Sequence, residues 1–271
     1  MTGWSFLGGR GPCLIAGPCV VEDDEVMLVV ADRIAKLGDA LDIPVCFKAS
    51  FDKANRSRAA GARGPGLERG LESLTRVQRA SGLPLLTDVH QRDQVAIVAE
   101  VVDLLQVPAF LSRQTDLLLA CGATGKPVNI KKGQWMDPTA MQGAVEKVRA
   151  GGSTEVAVTE RGTFFGYGDL VVDMRNFEAI RVAAKVPVLF DATHSVQRPG
   201  LGPGGSSGGL REQIPHLIAA AAGAGADGFF IETHPDPNAA LSDRETQWPL
   251  DRLEWLVRRA VRVWRAAREA E

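Results

Sequence analysis

Short apolar runs alternate with helical patterns along almost the whole chain. Eight runs read as strands: LIAGP from Leu14, VCFKAS from Val45, PLLTDVH from Pro84, DLLQVP from Asp103, PVNIKKG from Pro127, EVAVTERG from Glu155, VPVLFDATH from Val186 and GFFIETH from Gly228. Several are unbroken apolar stretches, the pattern of parallel strands buried on both faces. Helical spacing fills the intervals. Val26, Val30, Ile34 and Leu37 repeat on one helical face, and Leu67, Leu71, Leu74 and Val77 do the same. Val95, Val98 and Val102, then Met141, Val145 and Val148, then Met174, Phe177 and Ile180 continue the pattern. A last amphipathic helix begins near Leu250, with Leu253, Leu256 and Val263 on one side. Eight strands, each followed by a helix, in about 250 residues is the arithmetic of an α/β fold of the (β/α)8 TIM-barrel type.

An open doubly wound sheet is the alternative. That fold normally opens with a glycine-rich phosphate loop after its first strand. Here the first strand runs into GPCVVEDD, with no GxGxxG, so the barrel is preferred. The stretch RPGLGPGGSSGG, from Arg198 to Gly209, has the composition of a linker, but the pattern resumes after it. It reads as a long loop following the seventh strand. The expectation is one barrel domain over residues 1–271 with a short N-terminal extension over 1–12.

Composition narrows the function. The 271 residues are 45% hydrophobic and 24% charged, an ordinary globular balance. Lys and Arg number 31 against 33 Asp and Glu, for a net charge of −2. That gives no global attraction to nucleic acid or an anionic membrane, so any anion site must be a local concentration of cations. The four cysteines (13, 19, 46 and 121) form no CxxC pair and read as reduced thiols. The opening MTGWSFLGGRGP lacks the pattern of a secretory signal, and no run approaches a transmembrane helix. A cytoplasmic enzyme is the expectation.

In such a barrel the chemistry sits at the C-terminal ends of the strands. The first strand leads to Cys19. Lys48 ends the second, followed by Lys53, Asn55, Arg56 and Ser57. Asp88 and His90 end the third, and Gln106 lies on the fourth. Lys131, Lys132 and Gln134 follow the fifth, Glu160 and Arg161 the sixth, Asp191 and His194 the seventh, Glu232 and His234 the eighth. Of only eight lysines, four (48, 53, 131 and 132) lie at or just past strand ends. Burying such charges costs several kcal/mol each without a partner, so clustered cations imply an anionic ligand, phosphate or carboxylate. Strand alternation lets only one of Lys131 and Lys132 face inward readily. On residue types alone, a Schiff-base aldolase using Lys132 is also open.

The segments IAGPC, FKASFDKANRS, TDVH, FLSRQTDLL, NIKKGQW, TERGTFFGY, FDATHSVQ and FIETHPDP, followed by LSDRETQWPL, span Ile15 to Leu250 in order. Together they resemble 3-deoxy-D-manno-octulosonate 8-phosphate synthases. The resemblance implies a transferase that condenses phosphoenolpyruvate with D-arabinose 5-phosphate and water, releasing phosphate, for lipopolysaccharide inner-core synthesis. It implies that Lys48, Lys53, Lys132 and Arg161 hold phosphoenolpyruvate, and that Asn55, Arg56 and Ser57 bind the sugar phosphate. Asp88 and Gln106 would line the same cavity. Arg113 would reach a neighbouring subunit's site, implying a homo-oligomer, commonly a tetramer. Lys53, Asp88, Lys132 and His194 are the implied catalytic set. The second-ranked family, 3-deoxy-D-arabino-heptulosonate 7-phosphate synthase, typically has Lys-Pro-Arg-Thr where this chain has KANRS.

One class of the resembled family needs no metal and carries Asn on the first strand, where the other carries Cys and binds a divalent ion. Cys19 implies the metal-dependent class, with His194, Glu232 and Asp243 as the other ligands. Such a donor set suits Zn²⁺ or Fe²⁺, with Mn²⁺, Co²⁺ and Cu²⁺ also open. The chain departs from the family at Arg58, where Ser is usual. The loop over 200–209 reads as a lid over bound sugar phosphate or as a plain surface loop.

Overall fold

The computed structural model describes residues 11–55, 61–202 and 207–269. Its eight principal strands are β1 (Cys13–Gly17), β2 (Val45–Lys48), β3 (Leu85–Asp88), β4 (Leu104–Val107), β5 (Val128–Lys131), β6 (Val156–Glu160), β7 (Val188–Asp191) and β8 (Gly228–His234). Each pairs in parallel with the next, and β8 pairs with β1. The sheet closes on itself, and the expected (β/α)8 barrel is the fold observed. Every residue of these eight strands is buried, as their unbroken apolar runs require.

The outer helices are α1 (Asp24–Leu41), α2 (Leu67–Ser81), α3 (Gln94–Val101), α4 (Thr115–Ala123), α5 (Met141–Gly151), α6 (Asn176–Ala184), α7 (Ile214–Gly223) and α8 (Leu253–Arg268). The Asp23 side chain caps α1 by accepting from the Val26 N–H. Met27, Val30, Ile34 and Leu37 then face the barrel. Two small antiparallel ribbons ornament the C-terminal rim, Thr163–Gly166 with Asp169–Val171 and Gln197–Arg198 with Gly208–Gly209. Of the extension expected over 1–12, only Gly11 and Pro12 are described, and both are buried. Residues 203–206 of the glycine-rich loop lie outside the described residues.

Two layers fill the barrel interior. Cys13, Ile15, Cys46, Leu86, Leu104, Ala157, Leu189 and Phe230 form an apolar plug. Further along the strands the inward residues become polar: Lys48, Asp88, Gln106, Asn129, Lys131, Thr159, Asp191 and Glu232, each at most 6% exposed. The change from plug to polar layer defines the floor of a cavity at the C-terminal rim.

Candidate active site

The cavity has a volume of about 700 Å³. Its wall includes Lys48, Lys53, Asn55, Asp88, Gln106, Lys131, Gln134, Arg161, Asp191, His194, Glu232 and Asp243, all of them singled out in the sequence. Strand ends on all sides of the barrel therefore converge on one space.

Three of its cations are tied to the rim by carboxylates and carbonyls. Lys48 Nζ donates to Glu232 Oε1 at 2.8 Å and to the Cys19 carbonyl at 3.1 Å, with Asp88 Oδ2 at 3.8 Å. Lys53 Nζ reaches the same carbonyl and Ser50 Oγ, both at 3.4 Å. Lys131 Nζ pairs with Asp191 and sits 3.1 Å from the centre of the Phe230 ring. Arg161 donates to Gln197 Oε1 at 2.6 Å, while its other terminal nitrogen, Nη1, is buried without a partner among the described residues. An unpartnered buried guanidinium nitrogen on a cavity wall is suited to an anionic oxygen.

Burial works against the Lys53 charge, but Cys19, Glu232, Asp243 and Asp88 outweigh it and raise the ammonium above the ordinary lysine range. Burial pushes Lys131 down to about 8, with Asp191 only partly offsetting it. Asp88 is the reverse case. Burial would raise its carboxyl, yet Lys48 and Lys53 hold it well below the usual range.

On the β1, β7 and β8 side, four potential metal ligands meet. Donor atoms of Cys19, Glu232 and Asp243 lie within 4.8 Å of one another. His194 Nε2 lies 3.5 Å from Glu232 Oε2 and 3.6 Å from Asp243 Oδ2. Asp191 accepts from His194 Nδ1 at 2.7 Å, which turns Nε2 toward the carboxylates. Cys19 Sγ donates to Asp243 Oδ2 at 3.1 Å, and burial with the Asp243 and Glu232 charges pushes its thiol well up. Burial also works against the charge of His194, but Asp191 and Glu232 raise it to about 9. Glu232 Oε2 is buried with no hydrogen-bond partner among the described residues. One thiol, one imidazole and two carboxylates, with an orphaned carboxylate oxygen among them, fit a divalent ion.

The structure separates the two adjacent lysines. Asn129 and Lys131, two apart on β5, both point into the barrel, so Lys132 is turned away. Its ammonium is fully buried off the cavity wall, 3.6 Å from Glu160 Oε1 and 3.2 Å from Thr163 Oγ1, near the Gly133 and Gly162 carbonyls. The resemblance points to Lys132 for phosphoenolpyruvate, whereas the cavity wall carries Lys131. Lys132 likewise has no opening through which to meet a carbonyl as a Schiff-base nucleophile. Arg113 is exposed and away from this chain's cavity. Arg56, Ser57 and Arg58 lie outside the described residues.

Asp191 and Gln197 join the site as partners of His194 and of Arg161 and Asp243, respectively. Their signal in the sequence is the segment DATHSVQ, which places Asp three residues before His, close enough to orient it. Gln134, which the sequence places just past the fifth strand, lines the cavity with its Oε1 unpartnered among the described residues.

A family model described as the DAHP synthetase I family matches residues 5–263. Among curated relatives, a 2-dehydro-3-deoxyphosphooctonate aldolase of Nitratidesulfovibrio vulgaris is 52% identical over 251 residues, covering 93% of this chain and 91% of that protein. Proteins of the same name from a Cyanothece species and from Xanthomonas oryzae pv. oryzae are 50% and 52% identical. The former match covers 94% of this chain and 93% of the relative, the latter 90% and 88%.

Proposed function

The chain belongs to the DAHP synthetase I family, and we propose that it acts as its relatives are named, condensing phosphoenolpyruvate with D-arabinose 5-phosphate and water to give 3-deoxy-D-manno-octulosonate 8-phosphate and inorganic phosphate. The observation that carries this reading is the convergence of Lys48, Lys53, Lys131 and Arg161 on one cavity beside Cys19, His194, Glu232 and Asp243. The cations would meet phosphoenolpyruvate and the sugar phosphate, which together bring about five negative charges.

C3 of phosphoenolpyruvate forms the new bond to the aldehyde C1, water oxygen adds at C2, and the C2–O bond to phosphate breaks. Holding two mutually repelling anions so that C3 faces C1 is the principal task of the lysines and Arg161, worth about 7–11 kcal/mol of the barrier. Lys48 is fixed by Glu232, and Lys131 by Asp191, so both ammonium groups are oriented before substrate arrives. Asp88, ionised and bonded to Ser50 and Gln106, anchors the β3 side. Lys53, kept charged by its acidic neighbours, is placed to stabilise the negative charge that develops on the departing phosphate. Lys132 acts from behind the wall by holding Glu160, whose Oε1 also accepts from the Gly162 N–H at 2.6 Å.

A divalent ion, one of Zn²⁺, Fe²⁺, Mn²⁺, Co²⁺ or Cu²⁺, would be held by Cys19, His194, Glu232 and Asp243 and supply positive charge and Lewis acidity there. His194 orients this rim through its bond to Asp191. The sugar phosphate falls to Asn55, Arg56 and Ser57, and Arg113 to a neighbouring copy's site in a homotetramer. A cytoplasmic setting follows from the substrates. The deciding measurement is phosphate release from phosphoenolpyruvate with arabinose 5-phosphate against erythrose 4-phosphate. Arabinose 5-phosphate is expected to be preferred by at least about tenfold in kcat/KM. Preference for erythrose 4-phosphate would move the chain to heptulosonate chemistry.

A further inference from the structure

Four side chains on adjacent strands form one directed hydrogen-bonded chain inside the barrel. Thr159 Oγ1 donates to Asn129 Oδ1 at 2.7 Å, Asn129 Nδ2 to Gln106 Oε1 at 2.7 Å, and Gln106 Nε2 to Asp88 Oδ1 at 2.5 Å. Ser50 Oγ closes it by donating to the other Asp88 oxygen. Strand register builds the chain, because Gln106 is paired with Asp88 on one side and with Asn129 on the other. Asp88 and Gln106 line the cavity, whereas Asn129 and Thr159 are fully buried and do not.

The ionised end sets the direction of every link. Lys48 and Lys53 overcome burial and keep Asp88 a carboxylate, which can only accept. Gln106 must therefore turn its Nε2 toward Asp88 and its Oε1 toward Asn129. Asn129 must then offer Nδ2 to Gln106, which leaves its Oδ1 to the Thr159 hydroxyl. Reversing Gln106 alone would set oxygen against oxygen at Asp88 and NH2 against NH2 at Asn129. Apolar side chains fill the layer just below this chain. Its product is an orientation. The second Nε2 hydrogen of Gln106 has no acceptor among the described residues, and it belongs to a residue on a wall that also carries Lys48, Lys53 and Lys131.

We propose that Asn129, held in turn by Thr159, is a positioning residue that fixes the plane of the Gln106 amide, whose polarity Asp88 sets, so that the remaining Nε2 hydrogen meets an anionic oxygen of phosphoenolpyruvate in the cavity. The inference rests on the assignment of this cavity to phosphoenolpyruvate and adds the residues that hold one of its donors in place.

The test compares Thr159→Val, Thr159→Ser and Asn129→Asp with wild type. Phosphoenolpyruvate affinity is read by calorimetry, and KM and kcat by phosphate release. Thr159→Val removes the donor that holds Asn129 Oδ1, lets the plane of the Gln106 amide drift, and is expected to weaken phosphoenolpyruvate binding and raise its KM several-fold, up to about the tenfold of one lost hydrogen bond to a charged group. The KM for the sugar phosphate and kcat should stay within about twofold. Thr159→Ser keeps the hydroxyl and should restore wild-type binding. Asn129→Asp, nearly isosteric, sets a carboxylate against Gln106 Oε1, and should weaken binding at least as much as Thr159→Val. Equal binding in the valine and serine variants would overturn the proposal. So would a valine variant that loses kcat with phosphoenolpyruvate affinity intact. Should Thr159→Val fail to fold, Asn129→Asp against wild type decides by the same criterion. If wild type releases no phosphate with any sugar, the reaction assignment fails, and the calorimetric comparison still decides the positioning role.

Discussion

At the scale of single residues, the site rests on charges whose form is set by their neighbours. Lys131 is the clearest case. An ammonium normally titrates near pH 10.4, but burial brings this one to about 8 despite Asp191. Below about 8 it is charged and can hold an anion, and above it the charge is lost. The kcat/KM for phosphoenolpyruvate should thus fall by up to about tenfold per pH unit above that point, since this parameter reports free-enzyme ionisations. Lys131→Met should be lower at neutral pH by about tenfold or more and should lack the break. A wild-type profile that stays flat to about pH 9.5 would remove Lys131 from the anion site. The sequence shows the pair of lysines and shows that alternation admits one of them. It does not say which, because that depends on where β5 ends relative to the plug. Asn129 and Lys131 share the inward face, and nothing short of the register reveals it.

Elements carry these residues to their places, and backbone proximity between strands is as decisive as any side chain. Gly17 ends β1 beside the end of β2, and a Cβ there would stand 1.9 Å from the Lys48 carbonyl oxygen. Gly17→Ala must push β1 from β2 and displace both Cys19 and Lys48. A loss of at least about 2 kcal/mol in denaturant unfolding is expected, with weaker phosphoenolpyruvate binding in whatever folds. Gly143 on α5 is the control, exposed and with nothing within 4 Å of its Cβ position. Gly143→Ala should be neutral or stabilise by up to about 1 kcal/mol. A Gly17→Ala protein as stable as Gly143→Ala would show that the two strands can part without cost. All eight strands were legible because burial on both faces leaves unbroken apolar runs. Helices α4 and α7 were less distinct, because TDLLLACGA and IPHLIAAAAG are apolar on most sides and show little periodicity. The two rim ribbons, short and partly exposed, left no alternation to read.

For the whole molecule, the closure of β8 onto β1 is what brings candidate metal ligands scattered from Cys19 to Asp243 together. Spacing could not reveal this grouping, and resemblance supplied the candidates. Gly17 is paired with Glu232 across the closing seam, so Cys19 and Glu232 can meet only when the cylinder is shut. A divalent ion bound there recognises the folded chain and not the unfolded one, and must stabilise the barrel by mass action. At a free-ion concentration about a hundredfold above Kd that amounts to about 2.7 kcal/mol, or roughly 5–10 °C in Tm for a chain of this size. Chelation of the wild-type protein should remove the increment and abolish turnover, and Zn²⁺, Mn²⁺, Co²⁺ or Fe²⁺ should restore at least part of both. Cys19→Ala should lose the metal-dependent rise in Tm. Cys46→Ala lies in the apolar plug, where its lost contacts lower Tm with or without metal, so the increment itself should survive. If Cys19→Ala kept the full increment, the ion would be bound elsewhere, and the pairing of Gly17 with Glu232 would close the sheet without assembling a metal centre.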